Sequence, residues 1–329
     1  MNFERVPPVD TPKNYLEVAL SRARERSSIV AGKAKRVDTN HREALRESSR
    51  IKAIGDRLAH VLTKIVLDFP SINSLPEYYQ EMFAVTMDVD ELKKSLSKVQ
   101  WSGQKCREIA VLTSKAIMKE SVAAGAKEKS KQALGRIASI LNRLEGPIKI
   151  IESCRKKAKD LPDIKADMAH VVIFGFPNAG KTTLLTKLTG ADAKIAAYAF
   201  TTKGINSGPA SIDDKTVQII DTPGTLARFD KMNAIEKIAH LTLDLVADVV
   251  IYVFDPTEPY PIEDQKELLK QVEKTGKPTI IYVSKTDMVK TDIKGITDIS
   301  KLKARIGELV KDIVIEAEPT EEIDEEIYS

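Results

Sequence analysis

The sequence predicts two domains of different class: a basic all-α helical bundle over residues 1–165, then over residues 166–329 an α/β domain with a mostly parallel sheet. Three observations carry this. From about residue 11 to 160 the apolar residues recur at helical steps of three and four. Beyond that, short β-branched runs alternate with helical ones, the pattern of a parallel sheet covered on both faces. The charge also changes sign, with 32 Lys and Arg against 21 Asp and Glu in residues 1–165 (net +11) and 19 against 27 in the rest (net −8). A basic half joined to an acidic half suits a partner that is nucleic acid or anionic membrane.

Residues 1–10 are punctuated by proline, and Asp10 or Thr11 before Pro12 reads as an N-cap with proline in the first turn. Ile51, Ile54, Leu58, Val61 and Ile65 form one helical stripe, and Leu134, Ile137, Leu141, Leu144, Ile148 and Ile151 another. Breaks are expected near Gly32, at Pro70 to Pro76, near Val85 to Asp88 and at Ser102-Gly103. Asp88 is placed to cap the helix from Val89, and Gly146-Pro147 to interrupt the last long helix. The apolar stripes, with Trp101, Tyr78 and Tyr79, are expected to pack rather than bind. The opposite faces carry three basic runs: Arg22, Arg24, Arg26, Lys33, Lys35 and Arg36; Lys127, Lys129, Lys131 and Arg136; and Arg155, Lys156, Lys157 and Lys159. They could neutralise RNA phosphates without reading bases, which implies salt-sensitive, shape-based binding. Leu161-Pro162-Asp163-Ile164 looks like the hinge into the second domain.

Cys106 and Cys154 are too few for a disulfide framework or metal cluster, and the four histidines lack ligand spacing. No apolar run approaches the roughly 18 to 20 residues that span a bilayer, and the N-terminus lacks a signal-peptide pattern, so a cytoplasmic protein with no membrane partner is expected.

The second domain opens with the apolar run His170 to Phe174 and then Gly175-Phe176-Pro177-Asn178-Ala179-Gly180-Lys181-Thr182, followed by Thr183-Leu184-Leu185. This fits G-x-x-x-x-G-K-[ST] between a strand and a helix, a phosphate-binding loop. The two glycines let successive N–H groups of Gly175, Pro177's neighbours, Asn178, Ala179 and Gly180 turn inward, and the helix contributes its positive end. Lys181 would reach the β- and γ-phosphates, the Thr182 hydroxyl would ligate Mg²⁺, and Thr183 lies in the same first turn. Forty residues beyond Lys181, Asp221-Thr222-Pro223-Gly224 ends an apolar strand. Asp221 could hold the metal through water, and the Gly224 N–H could sense the γ-phosphate. Between them Tyr198 to Lys203 is expected to fold over the nucleotide, with Thr202 completing the metal shell. After the strand Thr279 to Val283 comes Ser284-Lys285-Thr286-Asp287. A carboxylate there can accept both the ring N–H and the exocyclic amine of guanine, while Lys285 lies along the base. Ser284 stands where the common form of this motif has Asn. A last contact to the guanine oxygen is assigned to the Ala317 N–H, taking Leu302 to Val310 as the preceding helix and Ile313 to Ile315 as the final strand.

The loop GFPNAGKT, the stretch YAFTTK, the turn IIDTPG and the later VVIYVFDPTE, with a helical half ending in LPDI, resemble an archaeal member of the Nog (nucleolar G protein) branch of the Obg-related GTPases. The resemblance implies a Ras-like P-loop GTPase domain preceded by the helical bundle, GTP hydrolysis to GDP and phosphate, and a role in large ribosomal subunit assembly with the helical domain on ribosomal RNA. Lys181, Thr202, Gly224 and Asn178 would carry the catalysis. Asn178 matches the loop asparagine that helps hold K⁺ in potassium-activated relatives. Thr225 and Leu226 stand where a water-orienting Gln would be, so slow intrinsic turnover is expected. The alternative is a slow GTP-dependent binding module whose helical domain engages a protein.

Overall fold

The computed structural model describes residues 3, 6–34, 37–190, 196–198 (backbone only), 205–226, 232–257 and 260–313. Contacts divide the chain into two compact units: Phe3–Ser74 with Met87–Lys159, and Leu75–Thr86 with the chain from Asp160 onward.

The first unit is helical. Helix α1 (Pro12–Lys33) starts at Thr11, whose hydroxyl accepts from the Asn14 N–H at 3.2 Å, and α2 (Thr39–Asp68) starts at Asp38, which accepts from the N–H groups of Asn40 and His41. After the short α3 (Glu77–Thr86) of the other unit comes α4 (Val89–Ile117), capped by Asp88 through the Glu91 N–H at 2.8 Å. Such caps contribute about 1 kcal/mol each. Then follow α5 (Ala123–Asn142) and α6 (Glu145–Lys159).

Two expected breaks differ in the structure. Ser102 and Gly103 lie buried within an unbroken α4, where the small residues let it cross α2 closely. At the same crossing a Cβ on Gly55 would fall 3.1 Å from the Cys106 carbonyl oxygen and collide with the Ala110 methyl. The break near Gly146-Pro147 falls earlier, at Arg143-Leu144, and Pro147 sits in the first turn of α6, where its missing N–H costs nothing. The α2 stripe uses Leu62 as its buried member, with Val61 only partly covered.

The second unit is a sheet covered on both faces. Its strands are β1 (Ala169–Gly175), β2 (Ala196–Tyr198), β3 (Ile205–Ile212), β4 (Lys215–Asp221), β5 (Val249–Phe254) and β6 (Thr279–Val283), in the order β2-β3-β4-β1-β5-β6. β1 pairs in parallel with β4 and β5, and β5 with β6; β3 pairs antiparallel with β2 and β4. The central strands are buried on both faces, which is why they read as unbroken apolar runs. Helices α7 (Lys181–Thr189) and α10 (Ile299–Val310) bury Leu184, Leu185, Leu188, Leu302, Ile306 and Val310 against one face. On the other, α8 (Ala234–Leu245) sets His240 edge-on to Phe174, and α9 (Ile262–Lys274) accepts the Tyr252 hydroxyl at the Gln265 carbonyl, 2.6 Å.

Helix α3 belongs to this unit. Its Tyr78 hydroxyl meets Thr242 of α8 at 3.2 Å, and burial raises the Tyr78 pKa. The Tyr79 hydroxyl donates to the Pro162 carbonyl and accepts from the Ile164 N–H, both at 3.0 Å. The Gln218 amide takes the Lys165 N–H at 3.0 Å and donates to the Asp163 carbonyl at 2.8 Å. The stretch expected to be a hinge is thus fastened to the sheet by its backbone.

Candidate functional site

The phosphate loop leaves the carboxyl end of β1 through Gly175, at φ +146°, where a Cβ would stand 2.8 Å from the Val253 carbonyl oxygen of the neighbouring strand. The chain then turns through Asn178 and Gly180, both at positive φ, and Gly180 caps α7. Ala179 is buried with its N–H on the Phe176 carbonyl at 3.4 Å. Lys181 is 6% exposed, and its ammonium donates to the Phe176 carbonyl at 2.7 Å, so it folds back across the loop. Asn178, Thr182 and Thr183 are exposed.

The turn after β4 seats directly on this loop. A Cβ on Gly224 would lie 2.5 Å from the Pro177 nitrogen, so only glycine permits the approach, and the Thr225 N–H donates to the Gly175 carbonyl at 3.2 Å. Between the two segments is a cavity of about 540 Å³ lined by Asn178, Lys181, Thr182, Asn206, Asp221 and Gly224 among others.

Asp221 is the polar centre of that cavity. Its Oδ2 accepts from the Thr182 hydroxyl at 2.6 Å and from the Asn206 amide at 3.3 Å, while its buried Oδ1 has no hydrogen-bond partner among the described residues. Burial raises its pKa, against the hydrogen bonds and the Lys181 charge, which lower it. A buried carboxylate oxygen without a partner is costly unless a cation completes it. A hydroxyl, a carboxylate and an adjoining phosphate cavity are the hard-oxygen donors Mg²⁺ takes, so the residues fit the ion.

The base motif follows β6. Ser284 is buried and donates to the Phe254 carbonyl at 2.9 Å, and its Cβ stands 3.6 Å from where one on Gly180 would be, so this motif and the phosphate loop adjoin. Lys285, at φ +51°, places its ammonium 2.5 Å from Oδ2 of Asp255, at the end of β5. The other Asp255 oxygen takes the Thr257 hydroxyl and N–H at 2.6 and 3.0 Å. Burial opposes ionisation of Asp255, but the Lys285 and Thr257 hydrogen bonds outweigh it and hold the carboxyl below its usual range. Asp287 is exposed at the carboxyl end of β6.

Thr202 and Ala317 lie outside the described residues. The place beside β6 is taken by Ile296, which bridges in parallel to Tyr282, with its N–H on the Ile281 carbonyl and its carbonyl accepting from the Val283 N–H, both 2.9 Å. No helix precedes this segment after Asp287, and α10 comes after it. The expected helix is α10, but Ile296 takes the edge of β6 ahead of it, and residues 314 and 315 of the expected final strand lie outside the described residues; Thr297 and Asp298 are carried toward the sheet end that bears Ser284 to Asp287.

Of the basic runs, Arg22, Arg24, Arg26 and Lys33 are exposed on α1, as are Lys131, Lys156 and Lys157 on α5 and α6; Lys35 and Arg36 lie outside the described residues. Lys127 pairs with Glu43 at 3.3 Å and Lys129 with Glu120. Arg155 is engaged within the fold: its guanidinium forks onto Glu152 at 2.7 and 2.8 Å and donates to the Val6 carbonyl. Its fork closes the N-terminal segment onto α6 and is not offered to a ligand.

Sequence reasoning missed Asn206, Asp255 and Thr257. The Asp-Pro-Thr run at the end of an apolar strand was a signal for the last two.

The NOG1 N-terminal helical domain profile matches residues 3–165, and that of the 50S ribosome-binding GTPase matches residues 170–285. An uncharacterized protein of Methanocaldococcus jannaschii is 34% identical over 87% of this chain and 81% of its own length. Nucleolar GTP-binding protein 1 of Drosophila melanogaster is 27% identical over 88% of this chain and 44% of its own, and that of Saccharomyces cerevisiae 24% over 95% and 48%. The chain belongs to the nucleolar GTP-binding protein 1 family. Residues 170–285 carry the GTPase domain, of a class that generally uses Mg²⁺. The chain spans about half the length of the eukaryotic family members it matches. No described helix is long and apolar enough to cross a membrane.

Proposed function

We propose that this family member is a slow GTP-hydrolysing switch that acts in assembly of the large ribosomal subunit, with its basic helical unit on ribosomal RNA. The observation that carries the nucleotide half is the orphan Asp221 oxygen beside the Thr182 hydroxyl, at the foot of a loop that folds Lys181 inward. Mg²⁺ bound there would neutralise charge on the β- and γ-phosphates. Lys181 would exchange its Phe176 carbonyl for phosphate oxygens, and the Gly224 N–H, held on the loop, would report the γ-phosphate. Asp287 would select guanine, and Lys285 would lie along the base.

Hydrolysis is slow in this reading because the two positions after Gly224 cannot orient water. Thr225 is fully buried, and Leu226 carries no polar side chain. Asn178 is exposed at the cavity rim; in this reading it helps hold K⁺, and K⁺ or the ribosome would supply the missing acceleration. The ribosomal half is supported by the family membership and by the net charge of +11 on residues 1–165. A switch that engages a protein partner is the second reading, and salt separates the two, because many phosphate contacts weaken steeply with salt and an apolar interface does not.

The test is single-turnover GTP hydrolysis in KCl and in NaCl, with and without large subunits. A basal rate on the order of 10⁻⁴ to 10⁻² s⁻¹ that rises with K⁺ or subunits is expected. Equal rates in all four conditions would remove the activation, and ATP hydrolysed as well as GTP would remove the base assignment.

A further inference from the structure

Away from the nucleotide site, one pocket of the helical unit gathers basic side chains that have no ion-pair partner among the described residues. It holds about 300 Å³ between the second half of α2 and the segment preceding α1, and Arg57, His60, Lys64 and Asp68 of α2 line it together with Tyr15 and Pro8. Arg57, His60 and Lys64 recur at steps of three and four and so share one face of the helix. None of the three makes a hydrogen bond or ion pair among the described residues, and the Arg57 Nε is buried without a partner. Asp56, beside Arg57 in sequence, is engaged elsewhere, 3.4 Å from Arg107.

Tyr15 adds a donor. Its hydroxyl oxygen accepts from the Asp10 N–H at 2.8 Å, which leaves its proton to give, and burial raises its pKa so that the proton stays. A guanidinium, an ammonium, an imidazole and a phenol thus face a space with one carboxylate among the described residues, Asp68. A planar fork with further donors around it matches tetrahedral phosphate oxygens, and a buried guanidinium nitrogen is satisfied only when an acceptor enters.

We infer that this pocket binds a phosphate group, and that the group it takes is a backbone phosphate of RNA. The RNA assignment rests on the proposed function; affinity for phosphate does not. None of these residues belongs to the basic runs legible in the sequence, because they are spaced along one helix face and do not cluster in the chain.

The experiment uses the full chain saturated with a non-hydrolysable GTP analogue and Mg²⁺, so that the phosphate loop is filled. Binding of end-labelled fragments of large-subunit ribosomal RNA is measured across a salt series for the wild type and for Arg57→Ala with Lys64→Ala. Loss of about tenfold or more in affinity is expected, with the slope of log K against log salt shallower by roughly 0.7 to 0.9 for the one lost phosphate contact. Equal affinity and slope would overturn the inference. Should the wild type bind no RNA, the functional reading fails by itself, and the pocket is judged by ³¹P line broadening of inorganic phosphate. Broadening removed by Arg57→Ala would support a site for the free anion, and its absence in the wild type would overturn the site. Tyr15→Phe, which removes one donor and keeps the packing, gives a smaller weakening in the same direction if the double variant does not fold.

Discussion

Asp255→Asn should loosen guanine nucleotide without touching the phosphate loop. Asp255 is 2% exposed, and its carboxylate sits 2.5 Å from the Lys285 ammonium, which is 29% exposed. Gln265, fully buried, fixes the Asp255 backbone by accepting its N–H and donating to its carbonyl, both at 2.9 Å, and also donates to the Tyr260 carbonyl. Breaking a fully buried pair costs about 3 to 5 kcal/mol. Here the ammonium can partly rehydrate and Asn can still accept from Thr257, so about 2 kcal/mol is the expected loss in Lys285 placement. That corresponds to roughly 30-fold in GDP affinity, expressed mainly as faster release. The assay is dissociation of a fluorescent GDP analogue chased with excess GDP, for Asp255→Asn, Lys285→Ala and the double variant. If Asp255 acts through Lys285, the double variant releases GDP no faster than Lys285→Ala alone. Release at the wild-type rate, or additive effects, would refute the reasoning. The pH dependence has a definite sign. The folded-state pKa of Asp255 is depressed, so its contribution is present above the ordinary aspartate range and is lost as pH falls through the lowered value.

Three further outcomes are expected. Gly224→Ala must push the turn off Pro177 and should weaken GTP binding by about 3 kcal/mol or more, read by calorimetry, while circular dichroism stays unchanged. Asp221→Asn removes a carboxylate whose ionisation is disfavoured by burial; it should raise the melting temperature of the nucleotide-free protein near neutral pH and abolish the Mg²⁺ dependence of GTP affinity. The sign follows from the raised pKa, since stability falls as pH climbs from the unfolded-state value through the folded one, and the amide stands in for the protonated form. Asp287→Asn should shift preference from guanine toward xanthine nucleotides in a competition assay, and unchanged preference would remove Asp287 from the base site.

The turn after β1 and the turn that seats on it were legible in the chain because their motifs dictate backbone geometry. A glycine at φ +146° against a neighbouring strand, or one pressed on Pro177, leaves a mark that no other residue could replace. The strand and helix order of the second unit was legible for a similar reason, since buried parallel strands are apolar throughout. Side-chain partnerships were not. Asn206 reaches Asp221 only because the antiparallel pairing of β3 and β4 sets the two opposite each other. Lys285 meets Asp255 only because β5 and β6 are neighbours. Glycine in the first unit misled in the other direction. Gly103 was read as a break, yet helix crossing used its missing side chain for close contact. Charge runs hid the difference between a solvated lysine and Arg155, whose fork is closed on Glu152 three residues away. The helix Leu302 to Val310 was legible and stands as α10, but the edge of β6 was misjudged because a single bridging residue in a polar loop, Ile296, takes it before that helix.

The central claim, a guanine-nucleotide switch acting on the large ribosomal subunit, is tested most directly by co-sedimentation of the purified protein with large subunits. The protein is loaded with GDP or a non-hydrolysable GTP analogue, at low and at moderate salt. The account predicts binding that requires the triphosphate analogue and weakens steeply with salt. Absence of binding in every state, or binding indifferent to nucleotide, would contradict it.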